Sequence, residues 1–478
     1  MKSNSVLSNF IWRFAERCGA QGVTVVVSIV LARLLDPAVY GVIALVTVFT
    51  TIMQVFVDSG MGNALIQKKN ADDLDFSSVF YFNIVICLLL YALMFLLAPA
   101  IAAFYNMPEL TAVIRVLSFM LIISGVKNVQ QAYVARNMLF KRFFFATLGG
   151  TIGAAVIGIT MAYFGFGVWA LVAQMLFNTA VDTTILWFTV KWRPKRMFSF
   201  ERLKGLFDYG WKMLVARLID TFYKDLRQLV IGKLYTSTDL AQYNRGEQFP
   251  KLIVSNVNSS IDSVLLPTMS REQDNVERVK TMTSRAIKTS TYIMAPLMMG
   301  LAFTATPVVR LILTEKWLPC VPFLRIFCVT YMFWPIHTAN LNAIKALGRS
   351  DLFLKLEIIK KFVGLTALAI TAPISVIAMA YSLLIVEVLG QIINTWPNRK
   401  LLNYNYLEQL KDIMPGILLA AFMGICVNFV QLFNFPDLLT LIIQVVLGGI
   451  IYIGLSAIFK LDSFTYLLGI LKKYYDKA

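Results

Sequence analysis

Charge is scarce in this sequence: 15% of its 478 residues are Asp, Glu, Lys or Arg, against about 25% in an ordinary soluble domain. Hydrophobic residues reach 58%, so water is not the chain's main solvent, and no stretch is left for a large soluble domain. Histidine is almost absent. The one imidazole, His337, has no second ligand at helical spacing and reads as a satisfied core or cavity histidine rather than part of a metal site. Cysteine is sparse, odd in number and scattered (Cys18, Cys87, Cys320, Cys328, Cys426). With no CxxC and no Cys/His spacing, each reads as a small packing residue. Neither GxxxxGK[ST] nor GxSxG occurs, which argues against transport driven by ATP on this chain and leaves catalytic chemistry with little support. A cleavable signal peptide is missing too, because Arg13, Glu16 and Arg17 interrupt the place of its apolar region.

What is abundant is long apolar segments. A helix needs about 20 residues to cross a hydrocarbon core of roughly 30 Å, and such segments recur from Phe10 to the end. They are continuous, without the alternation of a barrel strand, so they predict helices. The predicted spans lie near 10–34, 38–61, 77–103, 110–134, 143–163 and 168–190, then 206–234, 239–268, 285–313, 320–346, 352–372 and 375–396, then 413–432 and 438–459. The fold class is thus an all-α membrane protein of about fourteen transmembrane helices in a six, six, two order. The domain reading is 1–190 for a first six-helix lobe, 191–205 for a basic connector, 206–397 for a second lobe, and 398–478 for an extra helix pair with its tail.

The formal net charge of +17 fits this map without nucleic acid. Lys and Arg accumulate in alternate loops, among them Lys68, Arg136, Lys141, Arg142, the 191–205 connector, Arg271, Arg349, Arg399, Lys400 and Lys472. Such a bias marks the cytoplasmic side. Both termini are expected there. The opposite loops, such as 35–38 and 164–167, are too short for an external catalytic domain.

The two sixes resemble each other. Val30-Leu31-Ala32-Arg33-Leu34 aligns with Val230-Ile231-Gly232-Lys233-Leu234 at an offset of 200, and the same offset sets Arg17 on Arg217. An even number of helices makes the copies parallel, with the repeat axis along the membrane normal and a cleft between two similar bundles.

Charges inside spans are costly unless they face protein or water. In the first span Arg13, Arg17, Gln21, Thr24 and Ser28 fall within about 80° of one helix face. In the eighth, Glu247, Lys251, Ser255, Asn258 and Asp262 repeat that spacing. In the seventh, Arg217, Asp220, Lys224 and Arg227 share a face, with Asp220 and Lys224 placed for an i, i+4 ion pair. These stripes read as internal ion-pair networks, as long side chains snorkelling to the cytoplasmic interface, or as the lining of a water-filled cleft. Arg115, Lys127, Arg310, Arg325, and Lys360 and Lys361 beside Glu357 add to an excess of cations, which favours an anionic substrate. Asp58, near Gly60 and Gly62, reads either as a helix-end cap or as a proton or ion coupling group.

Leu31-Ala32-Arg33-Leu34-Leu35-Asp36-Pro37-Ala38-Val39-Tyr40-Gly41, followed by Asp58-Ser59-Gly60, resembles the N-terminal signature of the polysaccharide transporter branch of the multidrug/oligosaccharidyl-lipid/polysaccharide exporters. Its Wzx-type O-antigen flippases, the WzxC-like members above all, are similar along the whole chain. Leu266-Pro267-Thr268-Met269-Ser270-Arg271 and Gly348-Arg349 fit the same pattern. The resemblance implies a V-shaped, alternating-access transporter that flips polyprenyl-pyrophosphate-linked oligosaccharides of lipopolysaccharide, capsule or exopolysaccharide, not an enzyme. It implies a cationic cavity, carried over to Arg13, Arg17, Arg217, Lys224 and Lys251, with Asp58, Asp220, Glu247, Asp262 and Arg325 in supporting or coupling places. By analogy with lipid II flippases, helices 13 and 14 would form a groove for the lipid tail. No cofactor is expected; coupling to a proton or sodium gradient stays open. The partners implied are the lipid-linked oligosaccharide, membrane lipids and a glycan polymerase complex. The rival readings are a multidrug or cation exporter, whose cavity would centre on acidic residues, and a non-catalytic membrane partner of a glycan-synthesis complex.

Overall fold

In hydrocarbon every backbone N–H and C=O must be paired within the segment, which leaves the helix as the form for a continuous apolar run. The computed structural model consists of helices and short turns, with no strand among the described residues. The structure describes the backbone at 3–58, 61–68, 70–137 and 140–475, and side chains from residue 19 on except 63, 67, 140–146, 208–209, 470, 471 and 473–475.

The chain divides into two compact units, Met1–Ala241 and Gln242–Ala478. The first holds α1 (Ser3–Leu34), α2 (Pro37–Asp58), α3 (Met61–Gln67), α4 (Asp73–Tyr105), α5 (Leu110–Leu117), α6 (Phe119–Arg136), α7 (Phe140–Tyr163), α8 (Val168–Thr189) and α9 (Phe200–Leu234). The boundary falls just inside α10 (Ser237–Arg271). The second unit continues with α11 (Val276–Phe303), α12 (Ala305–Ile312), α13 (Val321–Tyr331), α14 (Trp334–Ala346), α15 (Ser350–Thr371), α16 (Val376–Leu401), α17 (Tyr406–Asn428), α18 (Asp437–Ile458) and α19 (Asp462–Tyr475).

Within the described residues, each of the fourteen expected spans falls on a helix or on two consecutive helices. Apolar length alone supports fewer crossings. Among the described residues, eight helical segments are long and apolar enough to span a membrane, and α11 with α12, bent by 68°, passes only as a pair. The charged stripes account for much of the difference: α9, α10 and α15 are long enough, but their Lys, Arg, Asp and Glu residues interrupt every apolar window. In α1 and α7 the described apolar stretches are Gly19–Leu34 and Thr147–Tyr163.

The repeat is visible in where helices stop. One helix ends at Leu34 and the next starts at Pro37; 200 residues on, one ends at Leu234 and the next starts at Ser237. The second junction is fastened by reciprocal bonds, Asp239 N–H to Thr236 Oγ1 at 3.1 Å and Thr236 Oγ1 to Asp239 Oδ2 at 2.7 Å. Helix α2 passes so close to it that a Cβ on Gly41 would lie 1.8 Å from the Ser237 carbonyl oxygen. That contact gives the glycine of the N-terminal signature its physical reason. The fourth span of each six is also broken, at Ser118 between α5 and α6 and at Met332–Phe333 between α13 and α14. In the latter, Pro335 occupies the first turn of the new helix, where its missing N–H costs nothing.

Residues 191–199, the first part of the expected connector, form a strap held onto α4, whereas 200–205 already belong to α9. The Lys195 N–H donates to Ser77 Oγ and the Ser199 N–H to Ser78 Oγ, at 3.0 and 2.9 Å. Trp192 stacks on Tyr133 and donates its Nε1–H to Asp73 at 3.1 Å. Beneath the strap, Asp75 is fully buried, and Lys68 Nζ reaches both its oxygens at 2.7 Å. Arg202 lies 3.7 Å away. Asp72 accepts the Asp75 N–H at 3.0 Å, and this bond holds its carboxyl below the usual carboxylate range.

In the second unit a buried amide network performs the equivalent task. Asn340 and Gln409 exchange two hydrogen bonds at 2.9 Å, and Asn398 donates to Asn340 Oδ1 at 2.7 Å. These bonds join α14, α16 and α17. Helices α17 and α18 pack on α11, where Tyr452 donates to the Tyr292 carbonyl and Tyr292 to Ser456, both at 2.8 Å. The outer faces of α4, α16, α17 and α18 carry exposed Leu, Ile, Val and Phe such as Leu96, Ile385, Leu418 and Ile450. Apolar area on this scale needs lipid as its solvent. The chain is a multi-pass membrane protein.

The buried ion pair sets a test of this packing. Removing one partner of such a pair leaves an uncompensated charge, at a cost of about 3 kcal/mol. Lys68→Met is expected to lower the unfolding temperature in detergent clearly, and Asp75→Asn added to it to recover part of the loss; equal stability of wild type and Lys68→Met contradicts the assignment.

Candidate functional site

Both units place charge inside helices that are otherwise apolar. In the first unit, Asp58 is the last described residue of α2. Gln54 donates to it at 3.4 Å, and Arg217 on α9 and Lys127 on α6 both attract it electrostatically. Lys127 itself forms an ion pair with Asp182 of α8 at 2.9 Å, with both side chains largely buried. Asp182 Oδ1 is buried and has no hydrogen-bond partner among the described residues. On α9, Asp220 and Lys224 form the expected i, i+4 pair at 2.7 Å, and Lys224 remains 69% exposed. Arg217 is exposed as well.

The α10 stripe in the second unit is divided between two fates. Lys251 pairs with Glu247 at 3.1 Å while its own side chain stays 52% exposed. Glu247 also accepts the Tyr331 hydroxyl. Farther along, Thr338 donates to Asn258 at 2.7 Å and Asn342 to Asp262 at 2.9 Å. Asn258 and the partners on α14 are sheltered, whereas Asp262 and Lys251 face outward. The stripe thus zips α10 to α13 and α14, with Lys251 and Asp262 exposed although each has a polar partner. Beside it, His337 Nε2 stands 3.1 Å from Glu387, and Asn394 meets its Nδ1 at 2.9 Å.

Comparison with known proteins gives this arrangement a family. Residues 30–322 match the family model described as "Polysaccharide biosynthesis protein". The chain belongs to that family. It is 25% identical to the teichuronic acid biosynthesis protein TuaB of Bacillus subtilis (strain 168), over 85% of this chain and 86% of that protein. With the succinoglycan biosynthesis transport protein ExoT of Rhizobium meliloti (strain 1021) it shares 23%, over 69% and 67%. Among solved structures, the inward closed form of the lipid II flippase MurJ matches with a TM-score of 0.74 and 16% identity, covering 95% of this chain and 98% of that one. An inward-facing multidrug resistance MATE family transporter of the MOP superfamily matches at 0.63 and 16%, over 80% and 94%. These two likenesses establish an all-α fold of the MOP type.

Of the residues singled out for a cationic cavity in this family member, Arg217, Lys224 and Lys251 are exposed side chains on α9 and α10. Arg13 and Arg17 lie outside the described side chains. Arg325 sits on α13, where Nε donates to the Ala302 carbonyl at 3.3 Å and Nη2 to Thr306 at 3.4 Å; it ties α13 to the bend between α11 and α12. Arg310 pairs with Asp437 at 3.1 Å, and Arg115 donates to the Phe95 carbonyl and lies over its ring. Lys360 pairs with Glu357 at 2.6 Å. Of the described cysteines, Cys87, Cys320 and Cys328 are buried and Cys426 half-buried, all as free thiols. Sequence reading passed over Asp182, Tyr331, Glu387 and Asn394. The usable signal for the carboxylates was an acidic residue alone in an apolar span, at 168–190 and 375–396.

Exposure by itself does not distinguish water from lipid: Leu89 is 61% exposed and Lys224 69%. The cost of an ion in hydrocarbon does. In a cysteine-free background, cysteines at positions 224 and 251 are expected to react quickly with a small charged thiol reagent, and one at 89 to stay inert; equal inertness would return the stripe to the packed interior.

Proposed function

We propose that this protein is a transporter, not an enzyme, and that it moves a polyprenyl-pyrophosphate-linked oligosaccharide across a bacterial cytoplasmic membrane by alternating access. The reading is supported first by membership of the polysaccharide biosynthesis family, in which the relative ExoT is named a transport protein. The geometric observation that carries it is the exposed cations Arg217, Lys224 and Lys251 on helices of membrane-spanning length. A cation exporter would need the opposite sign at these places. Guanidinium and ammonium groups suit the oxygens of a pyrophosphate and of acidic sugars. In this proposal Arg217 and Lys224 of the first unit hold phosphate oxygens, with Asp220 keeping Lys224 extended; in the second unit Lys251, kept extended by Glu247, offers its own ammonium to an anionic group. Lys and Arg in alternate loops favour both termini and the 191–199 strap in the cytoplasm.

A hydrogen bond to a charged group contributes about 1.5 to 3 kcal/mol, or tenfold and more in binding. Lys224→Gln and Lys251→Gln are each expected to reduce surface glycan about tenfold, normalised to folded protein in the membrane. Arg217→Lys should impair export and Arg217→Gln impair it more, since the first loses the planar fork and the second loses both the fork and the positive charge. Full normalised export in all of these variants overturns the cationic site.

A further inference from the structure

Three helices of the second unit change from charged to apolar at one level. The first half of α11 carries Glu277, Arg278, Lys280, Arg285 and Lys288, and nothing charged follows Lys288 before its end. In α17 the last charge is Asp412, and α18 has none from Leu438 until Lys460 just past its end. Such a level is where hydrocarbon gives way to lipid headgroups. A cavity of about 360 Å³ opens there, lined among others by Lys288, Tyr292, Lys411, Asp412, Lys460 and Ser463. It lies at the end of the bundle that the Lys and Arg bias favours as cytoplasmic.

The charges of the cavity do not cancel. Three lysines, at 288, 411 and 460, face two aspartates, at 412 and 462. Asp412 is committed inward: it meets Lys288 at 3.0 Å and accepts the Ser284 hydroxyl at 2.8 Å and the Tyr404 hydroxyl at 2.6 Å. Asp462 is 83% exposed and stands 3.9 Å from Lys288. Lys411 and Lys460 are exposed and have no ion-pair partner among the described residues. Two ammonium groups are thus left at the rim for an anion from outside the chain.

The backbone adds to the same field. Helix α18 closes with the Leu461 N–H on the Ser456 carbonyl at 3.1 Å, which places Lys460 in the left-handed conformation at a φ of 48°. Asn106, Asn403 and Asn434 adopt that conformation with a side chain suited to it; lysine is not so suited. Helix α19 then starts at Asp462, and Leu461 before it carries no side-chain oxygen to cap the first N–H groups. These point their positive end toward an anion. Beside the cavity, Ile453, Ile458 and Phe459 are exposed apolar side chains. Arg285 of α11 lies over the Tyr466 ring at 4.2 Å and holds α19 in place.

We propose that the corner between α11, α17 and the α18–α19 turn binds the phosphate of an anionic membrane phospholipid. Lys411 and Lys460 take its oxygens, and the acyl chains run along Ile453, Ile458 and Phe459. Soluble phosphate shares the headgroup chemistry, but the apolar flank and the depth of the cavity suit a lipid. Basic pockets between spans at this depth bind anionic headgroups on general grounds. The site uses none of the residues assigned to the transported substrate and does not depend on the transport reading.

The test uses the full chain, purified in detergent and stripped of lipid, then titrated with dioctanoyl phosphatidylglycerol, dioctanoyl phosphatidylcholine or inorganic phosphate. The unfolding temperature should rise to a plateau with phosphatidylglycerol and stay level with the other two. Lys411→Gln and Lys460→Asn should each raise the half-saturating concentration about fivefold, and together about twenty-five-fold. Lys355→Gln, an exposed lysine of α15, should leave it unchanged. Asparagine suits the left-handed backbone at 460, so the lipid-free unfolding temperature of Lys460→Asn should equal or exceed that of wild type. Gly416→Leu puts a side chain into the cavity with every charge kept, where a Cβ meets nothing nearer than 3.8 Å; it should weaken binding too. Equal responses to the two lipids, or a double lysine variant that binds as wild type does, overturn the site. A rise with inorganic phosphate as large as that with phosphatidylglycerol overturns a lipid as its occupant.

Discussion

A charge cannot rest in hydrocarbon without a partner or water, and most of the polar architecture of this protein follows from that constraint. Some charged side chains meet it by pairing in the interior. Lys68 with Asp75 and Lys127 with Asp182 are of this kind. Others meet it by capping the breaks that bent helices expose, as Arg325 does at the bend after Phe303 and Arg115 at the Phe95 carbonyl. A third group, Arg217, Lys224, Lys251 and Asp262, stands exposed on long helices too charged to pass as ordinary spans. Three of them, Lys224, Lys251 and Asp262, also hold a polar partner on the protein.

Helix positions were legible in the sequence because apolar length, a local property, decides them. The fourteen expected spans coincide with helices even where, as at α11 and α12, the helix bends by 68°. The i, i+4 pairs Asp220–Lys224 and Glu247–Lys251 were legible for the same reason, since 3.6 residues per turn fixes their approach. Partners contributed by distant segments were not. Asp182 lies 55 residues beyond Lys127 and Glu387 50 beyond His337, and no periodicity connects residues across such distances. Nor did basic composition reveal that 191–199 is a strap: its anchors are the hydroxyls of Ser77 and Ser78 on α4. The stripe on α10 was read as one face with one fate, whereas tertiary contacts with α13 and α14 absorb half of it.

The Asn340–Gln409–Asn398 network is buried and closely bonded, and its members fix three helices. One turn before Asn340 on α14, the His337 cluster leaves polar atoms unpaired.

The central claim is that the exposed cations serve a pyrophosphate-bearing lipid. Its most direct test is reconstitution of the purified protein in liposomes, with arrival of a short lipid-linked oligosaccharide on the far leaflet followed by lectin binding. The account predicts rapid crossing of the polyprenyl-pyrophosphate form and little crossing of a neutral glycolipid with the same sugars and tail. Equal rates for the two lipids would contradict it.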